Sequence, residues 1–365
     1  RHRLDAIADV DAKAHLVATR DGALLEYEAL VLAVGARPVD PLPGALVYGD
    51  ADARAAFGRL LEAAEAGRVH DLLFAVPSGV RWPLPLYELA VMTARRLGGR
   101  ARVALATAER APLELFGGRA SGRLLEYLER LGVAFLPNAG VVRVLAGEAL
   151  IAPGGRRVRA DRVVTVPRLR GPALAGLPRD ADGFLPVGAH GAVHGVADVY
   201  AAGDATDQPI KQGGLATQQA DAIAETIAAR AGAPLTPAPF RPVLRGILMT
   251  SEQPQYLEAD VAGPGGSHTA DTPLWWPPTK VAGRYVAPFL AKSFGAHVPE
   301  PQPDERWREG AIPCEITVPE PAVRASCSRA AASPRWRRCW RCTRWRPSAS
   351  SSCCSRPSRP SPTAR

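Results

Sequence analysis

The residues best suited to chemistry lie within 196–222, VADVYAAGDATDQPIKQGGLATQQADA. An apolar run, Val199-Tyr200-Ala201-Ala202, meets Gly203-Asp204; a short loop then carries Pro209 and Lys211, and small residues from Gln212 to Leu215 open a helix. Glycine at a strand end lets a ligand come close to the backbone, and the aspartate beside it can accept a hydrogen bond from a ribityl hydroxyl. The free N–H groups and partial positive charge at a helix N-terminus suit an electron-rich ring edge. Gly-Asp alone would be an ordinary turn with a capping aspartate. The whole order of strand, Gly-Asp, loop and small-residue helix suits a flavin.

This stretch resembles the second FAD motif of the two-dinucleotide-binding-domain flavoproteins, the pyridine nucleotide-disulfide oxidoreductase superfamily. Within it the nearest likeness is to the sulfide:quinone reductase and type II NADH dehydrogenase branch. The resemblance implies FAD as cofactor, with Gly203 and Asp204 on its ribityl-phosphate side. It sets Pro209, Lys211 and the backbone of Gln212, Gly213, Gly214 and Leu215 along the pyrimidine end of the isoalloxazine. Residues 29–38, ALVLAVGARP, resemble the family's strand and small-Gly-small-x-Pro turn near the cofactor's phosphates, which adds Gly35 to the expected cofactor-binding set. Taken alone, a plain buried strand explains that second motif equally well.

Around these motifs the 365 residues divide by pattern. Residues 1–40 alternate apolar and polar positions about a turn at Arg20-Asp21-Gly22, as a hairpin feeding a buried strand does. Over 41–166, helical patterns at 51–66, 84–97 and 121–131 alternate with strand patterns at 72–76, 103–106, 133–136, 141–145 and 162–166, which predicts a parallel sheet. After Leu215, the spacing of Ala216, Ala220, Ile223 and Ile227 gives one apolar helix face. The predicted fold class is α/β, a two-dinucleotide-binding-domain flavoprotein fold. Its Rossmann-like FAD domain covers 1–40 and 167–245 and is incomplete, an NAD(P)-binding-like unit is inserted over 41–166, a meander or cap covers 246–313, and a tail covers 314–365.

The formal charge of +9 sits at one end of the chain. After Glu320 there are eleven arginines with no lysine or acidic residue, so residues 1–320 carry 9 − 11 = −2. The near-neutral body gives no ground for a nucleic-acid partner. The six cysteines, Cys314, Cys327, Cys339, Cys342, Cys353 and Cys354, all follow residue 313, so the body has neither a disulfide framework nor a redox-active pair. No run of about twenty apolar residues is present. A cytoplasmic location is expected, and membrane association is disfavoured. The arginine-, serine- and proline-rich tail lacks apolar periodicity and has the composition of a slipped GC-rich reading frame. Zinc at Cys339-x-x-Cys342, or nucleic acid on the interleaved Arg and Trp, are weaker readings of it, and no metal is expected.

The inserted unit departs from a dinucleotide site. After strand 72–76 a G-x-G-x-x-G turn would be needed, but the chain has Pro77-Ser78-Gly79-Val80-Arg81-Trp82-Pro83-Leu84-Pro85. Prolines remove the N–H donors that cradle a pyrophosphate, and Trp82 is too bulky for close helix-strand approach. The ribose-reading acid has its place near neutral Thr107, with Glu109 two residues on. NAD(P)H is therefore disfavoured as a partner, and the resemblance leaves a small-molecule or quinone-like electron partner. No G-x-G-x-x-G precedes Gly35, so the resemblance also implies a member truncated at its N-terminus, without the first βαβ unit.

Three further positions have competing readings. Glu88, in Tyr87-Glu88-Leu89-Ala90, stands where the family often has Gly-Leu-Glu-Leu-Ala with a glutamate facing nicotinamide and flavin; a solvated helix position is the commoner explanation. Gln218 and Gln219 face either the flavin edge or solvent, with solvent favoured. Trp275 and Trp276 could anchor at a membrane interface, cover the flavin or cap a core, and core packing is favoured. The expected function is an FAD-dependent oxidoreductase that passes electrons between an unidentified donor and acceptor without redox cysteines. The alternative is a non-catalytic remnant that no longer retains FAD.

Overall fold

The computed structural model describes residues 2–39, 41–250, 253–261, 266–275, 278–280, 283–286, 289 and 293. The tail over 314–365, Trp276 and most of an expected helix over 281–290 lie outside the described residues. The described residues all fall within one compact unit, Arg1–Gly310.

The chain begins with an antiparallel sheet of β1 (Ile7–Asp11), β2 (Leu16–Thr19) and β3 (Leu24–Glu26). It continues through β4 (Leu30–Leu32) and β5 (Arg37–Val39) into an α/β unit. That unit runs β6 (Leu46–Val47), α1 (Ala51–Glu65), β7 (Asp71–Ala75), α2 (Leu84–Leu97), β8 (Arg102–Ala106), α3 (Gly117–Arg130) and β9 (Val133–Leu136). It then makes an antiparallel sheet of β10 (Gly140–Leu145), β11 (Glu148–Ala152) and β12 (Arg156–Arg159), and closes with β13 (Arg162–Thr165).

Every pairing in the sheet β6-β13-β7-β8-β9 is parallel. Both faces of β7 are buried, and its alternation shows how the layers form. Leu72 and Phe74 join the core shared with α1, α2 and α3, whereas Leu73 and Ala75 join the core under β10, β11 and β12. Helices cover one face and a small antiparallel sheet the other. Truncating fully buried Phe74 to alanine would cost about 3–5 kcal/mol. The helices follow their patterns: α1 buries Phe57, Leu60, Leu61 and Ala64 and is capped by Asp50, which accepts from the Ala53 N–H at 2.7 Å. α2 stops where Gly98 takes the left-handed conformation, φ 54°. The β11–β12 hairpin was not among the expected strands, because β12 is Arg-Arg-Val-Arg with a single apolar side chain.

The strand β14 (Arg168–Arg170) pairs antiparallel with β5, so the chain enters and leaves the α/β unit side by side. Next come β15 (Val199–Ala201), which pairs parallel with β4, and the 18-residue helix α4 (Gly213–Arg230). A meander of β16 (Val243–Leu248), β17 (Gln255–Asp260) and β18 (Ser267–Ala270) follows. Its residues Leu244, Leu248, Leu257 and Ala259 share one core with α2, α3 and Leu215 of α4. No helix among the described residues is long and apolar enough to cross a membrane.

Candidate functional site

β4 and β15 run in the same direction, with Leu32 opposite Ala201, and the Ala202 N–H donates to the Leu32 carbonyl at 3.1 Å. Both therefore open at one edge, β4 through Val34-Gly35 and β15 through Gly203-Asp204. The crevice beyond the carboxyl ends of parallel strands is the usual ligand position in α/β sheets. Gly35 has φ 70°, and a Cβ placed on it would meet nothing within 4 Å. Gly203 has φ 73°, and its Cβ would lie 3.2 Å from Ala216 of α4. Glycine is required at Gly203 by the turn and by the helix resting on it.

A buried residue of α4 holds this turn. The Gln219 amide oxygen accepts from the Gly203 N–H at 2.7 Å, and its nitrogen donates to the Thr206 hydroxyl at 3.3 Å. Gln219 is 4% exposed. Gln218 accepts from the Val243 N–H at 3.0 Å and donates to the Val243 carbonyl at 2.8 Å. The solvent-facing reading favoured from sequence does not hold, because both side chains tie α4 to its neighbours. The overlooked signal was register, since Leu215, Gln219, Ala222 and Ile223 share one buried helix face.

Asp204 is half-buried, and its carboxylate has no hydrogen bond among the described residues. Burial raises its pKa, and the Lys211 charge partly offsets this. The Lys211 ammonium is turned inward: it donates to the Thr206 carbonyl and lies 3.7 Å from the centre of the Phe184 ring. Burial brings its pKa down to about 8, against the opposing pull of Asp204, Asp207 and Asp180. Lys211 thus braces the Gly-Asp loop from behind.

Gln212 caps α4, accepting from the Leu215 N–H at 2.8 Å while its amide nitrogen donates to the Arg245 carbonyl at 3.0 Å. The N–H groups of Gly213 and Gly214, ahead of that bond, have no partner inside the helix. A Cβ on Gly214 would lie 2.9 Å from the Gln212 amide and 3.3 Å from the Lys280 carbonyl; one on Gly213 would meet nothing. Gly35, Gly203 and Asp204 are thus gathered at the ends of β4 and β15, with α4 packed on the turn. The Lys211 ammonium is engaged by Thr206 and Phe184, and the Gln212 side chain by Leu215 and Arg245.

Comparison with known proteins bears on this geometry. Residues 86–221 match the family description "Pyridine nucleotide-disulphide oxidoreductase". Over those residues the chain is similar to that superfamily. Its fold is similar to the sulfide:quinone oxidoreductase of Aquifex aeolicus, with 22% identity, 73% of this chain and 70% of that one covered, and a TM-score of 0.65. It is also similar to a ferredoxin reductase of Rhodopseudomonas palustris, with 16% identity, coverage of 72% and 65%, and a TM-score of 0.54. For putidaredoxin reductase in its covalent complex with putidaredoxin, the identity is 18%, the coverage 71% and 64%, and the TM-score 0.50. At these identities the likeness concerns fold. No curated protein sequence matches.

The turn that follows β7 is packed by side chains. Trp82 packs edge-on to Phe116, ring centres 5.9 Å apart, and against Gly246 of β16, where an added Cβ would come within 3.3 Å of it. α2 begins after Pro83 without a side-chain cap, and the N–H groups of Leu86 and Tyr87 turn back to the Pro83 carbonyl. Glu109 accepts from the Tyr87 hydroxyl at 2.7 Å and from the Thr107 hydroxyl at 3.0 Å. Burial raises the pKa of both Glu109 and Tyr87.

Glu88 is not a solvated helix residue. Lys280 donates to both its oxygens at 2.9 Å, and the Met249 N–H donates to one of them at 3.0 Å. Trp275 is 1% exposed, lies edge-on to Tyr256 and donates to the Thr279 carbonyl at 3.0 Å, which is the packing role expected of it.

Proposed function

We propose that the chain is an FAD-dependent oxidoreductase whose flavin half is held in the crevice between β4, β15 and α4. It passes electrons between a donor and an acceptor without redox cysteines. The observation that carries this reading is Asp204: a half-buried carboxylate, only partly offset by the Lys211 charge, that has no hydrogen-bond donor among the described residues and lies near Gly35, Gly203 and a helix N-terminus. A ligand hydroxyl would supply the donor it lacks.

The residues fit the group. Asp204 would accept from a ribityl hydroxyl, Gly35 and Gly203 would let the chain approach closely, and the N–H groups of Gly213 and Gly214 would face the ring edge. Gln219 and Lys211 would keep the turn rigid, and Gln212 would fix the first helical turn. Bound FAD would supply two-electron transfer; orientation, desolvation and access fall to the chain.

Within this reading residues 41–166 form an inserted domain that does not take NAD(P)H. The groups that would read a dinucleotide are engaged internally: Glu109 by Tyr87 and Thr107, Glu88 by Lys280, and the loop by Trp82. A quinone-like or other small-molecule electron partner is the remaining class, supported by the fold likeness to a protein named for quinone reduction. A cytoplasmic location is part of the proposal.

One observation favours a second reading, a chain that does not retain FAD. The outer edge of β4 has no strand partner among the described residues, and Val31 and Val34 are 46% and 47% exposed. An absorption spectrum of the purified full chain, before and after adding FAD and desalting, separates the two. Flavin bands that stay with the protein support the oxidoreductase; a colourless protein that releases added FAD supports the second reading.

A further inference from the structure

One face of α4 is covered along its length by residues from beyond the meander. The Lys280 carbonyl lies 3.3 Å from the Cβ position of Gly214, and a Cβ on Gly283 would stand 2.8 Å from the Thr217 Cβ. The Arg284 N–H donates to Asp221 at 2.5 Å, while the Arg284 guanidinium and the Tyr285 hydroxyl donate to Glu225 at 2.6 and 2.8 Å. Gly214, Thr217, Asp221 and Glu225 are spaced three, four and four apart, a single stripe along the helix. At the start of that stripe Lys280 turns the other way. Its carbonyl rests on the first turn of α4 while its ammonium holds both oxygens of Glu88 in α2.

We propose that Lys280 is a positioning residue: by clasping Glu88 it fixes the first turn of α4 against the α/β unit. The proposal rests on the reading that this turn faces the flavin. Of the two ion pairs at the ends of the stripe, the clasp is the more exposed, with the Lys280 side chain 53% exposed and Glu88 13%. Glu225, at the far end, is 7% exposed. The far end is therefore held by a part-buried contact, with Arg284 40% exposed and two donors on Glu225, and the near end by a more exposed pair that salt screens more fully. The pair also accounts for Glu88 without nicotinamide, since a largely buried carboxylate needs donors and Lys280 with Met249 supplies them.

Hydrogen exchange of the full chain without FAD tests the clasp directly. Lys280→Met and Glu88→Gln should each speed exchange at Leu215 to Thr217 by about fivefold, the factor a partly exposed ion pair can supply. Lys280→Arg and the exchanged pair Glu88→Lys with Lys280→Glu should restore protection, and added salt should bring the wild type towards Lys280→Met. Unchanged exchange in the single variants, or no rescue by the exchanged pair, would overturn the proposal. FAD binding measured on the same samples should weaken severalfold in Lys280→Met; equal affinity despite faster exchange would refute the positioning role. A wild type that binds no FAD would sink the reading of the crevice and leave the exchange result to judge the clasp.

Discussion

After β15 the chain turns through Gly203-Asp204 into α4, and after β7 it turns through residues 77–83 into α2. Each unit leaves the carboxyl end of a buried parallel strand for a helix, and topology alone would make either a ligand site. Side-chain volume and hydrogen-bond accounting separate them. The first turn has left-handed Gly203, with Gly35 beyond the paired strand β4, a carboxylate that accepts no hydrogen bond among the described residues, and helix N–H groups that nothing inside the helix claims. The second has two prolines flanking the helix start, an indole wedged against Phe116 and β16, and beside it a half-buried glutamate already served by two hydroxyls. On the proposed reading, the unmet polar groups suit the first to a ligand, and the satisfied ones suit the second to packing.

The sharpest way to break this contrast is to fill the open turn. Gly203→Val puts a β-branched residue at φ 73° and presses it on Ala216; the expected cost is about 2–4 kcal/mol in chemical denaturation, with FAD binding lost. Asp204→Ala removes the acceptor without creating a clash. FAD affinity by fluorescence titration should fall about 10–100-fold, while thermal stability holds or rises because a poorly solvated charge is gone. Trp82→Ala empties the filled loop. It should cost about 2–3 kcal/mol through lost packing and still yield no measurable affinity for NADH, because Glu109 stays engaged.

The smallest expected effect concerns Lys211. Its folded pKa of about 8 lies below the ordinary 10.5, so the unfolded chain binds more protons between those values. Stability should therefore rise as pH increases from about 8 to 10.5, and the cost of the buried ammonium should be fully present below pH 8. Lys211→Met should flatten that rise in urea denaturation series compared over this range.

Periodicity made the α/β unit legible. The 3.6-residue spacing of Phe57, Leu60, Leu61 and Ala64, and the apolar run at β7, led to elements within a few residues of those observed. The glycines and Asp204 were legible because each residue type has a geometric purpose at a strand end. Gln219, Glu88 and Lys211 were not, because a polar residue on a helix or loop has one local pattern whether it meets solvent or a partner far away in sequence. Gln219 meets Gly203 sixteen residues back, and Glu88 meets Lys280 192 residues on. Such pairings depend on how α2, α4 and the meander pack, which composition does not encode. The position of Lys211 illustrates the same limit: its place beside the crevice was readable, but its inward turn onto Phe184 was not.

Equilibrium binding of FAD and of NADH to the wild-type full chain, measured by fluorescence under one buffer condition, tests the contrast between the two turns most directly. The account predicts saturable, one-to-one binding of FAD and none of NADH up to millimolar concentration. Binding of NADH with no binding of FAD would contradict it.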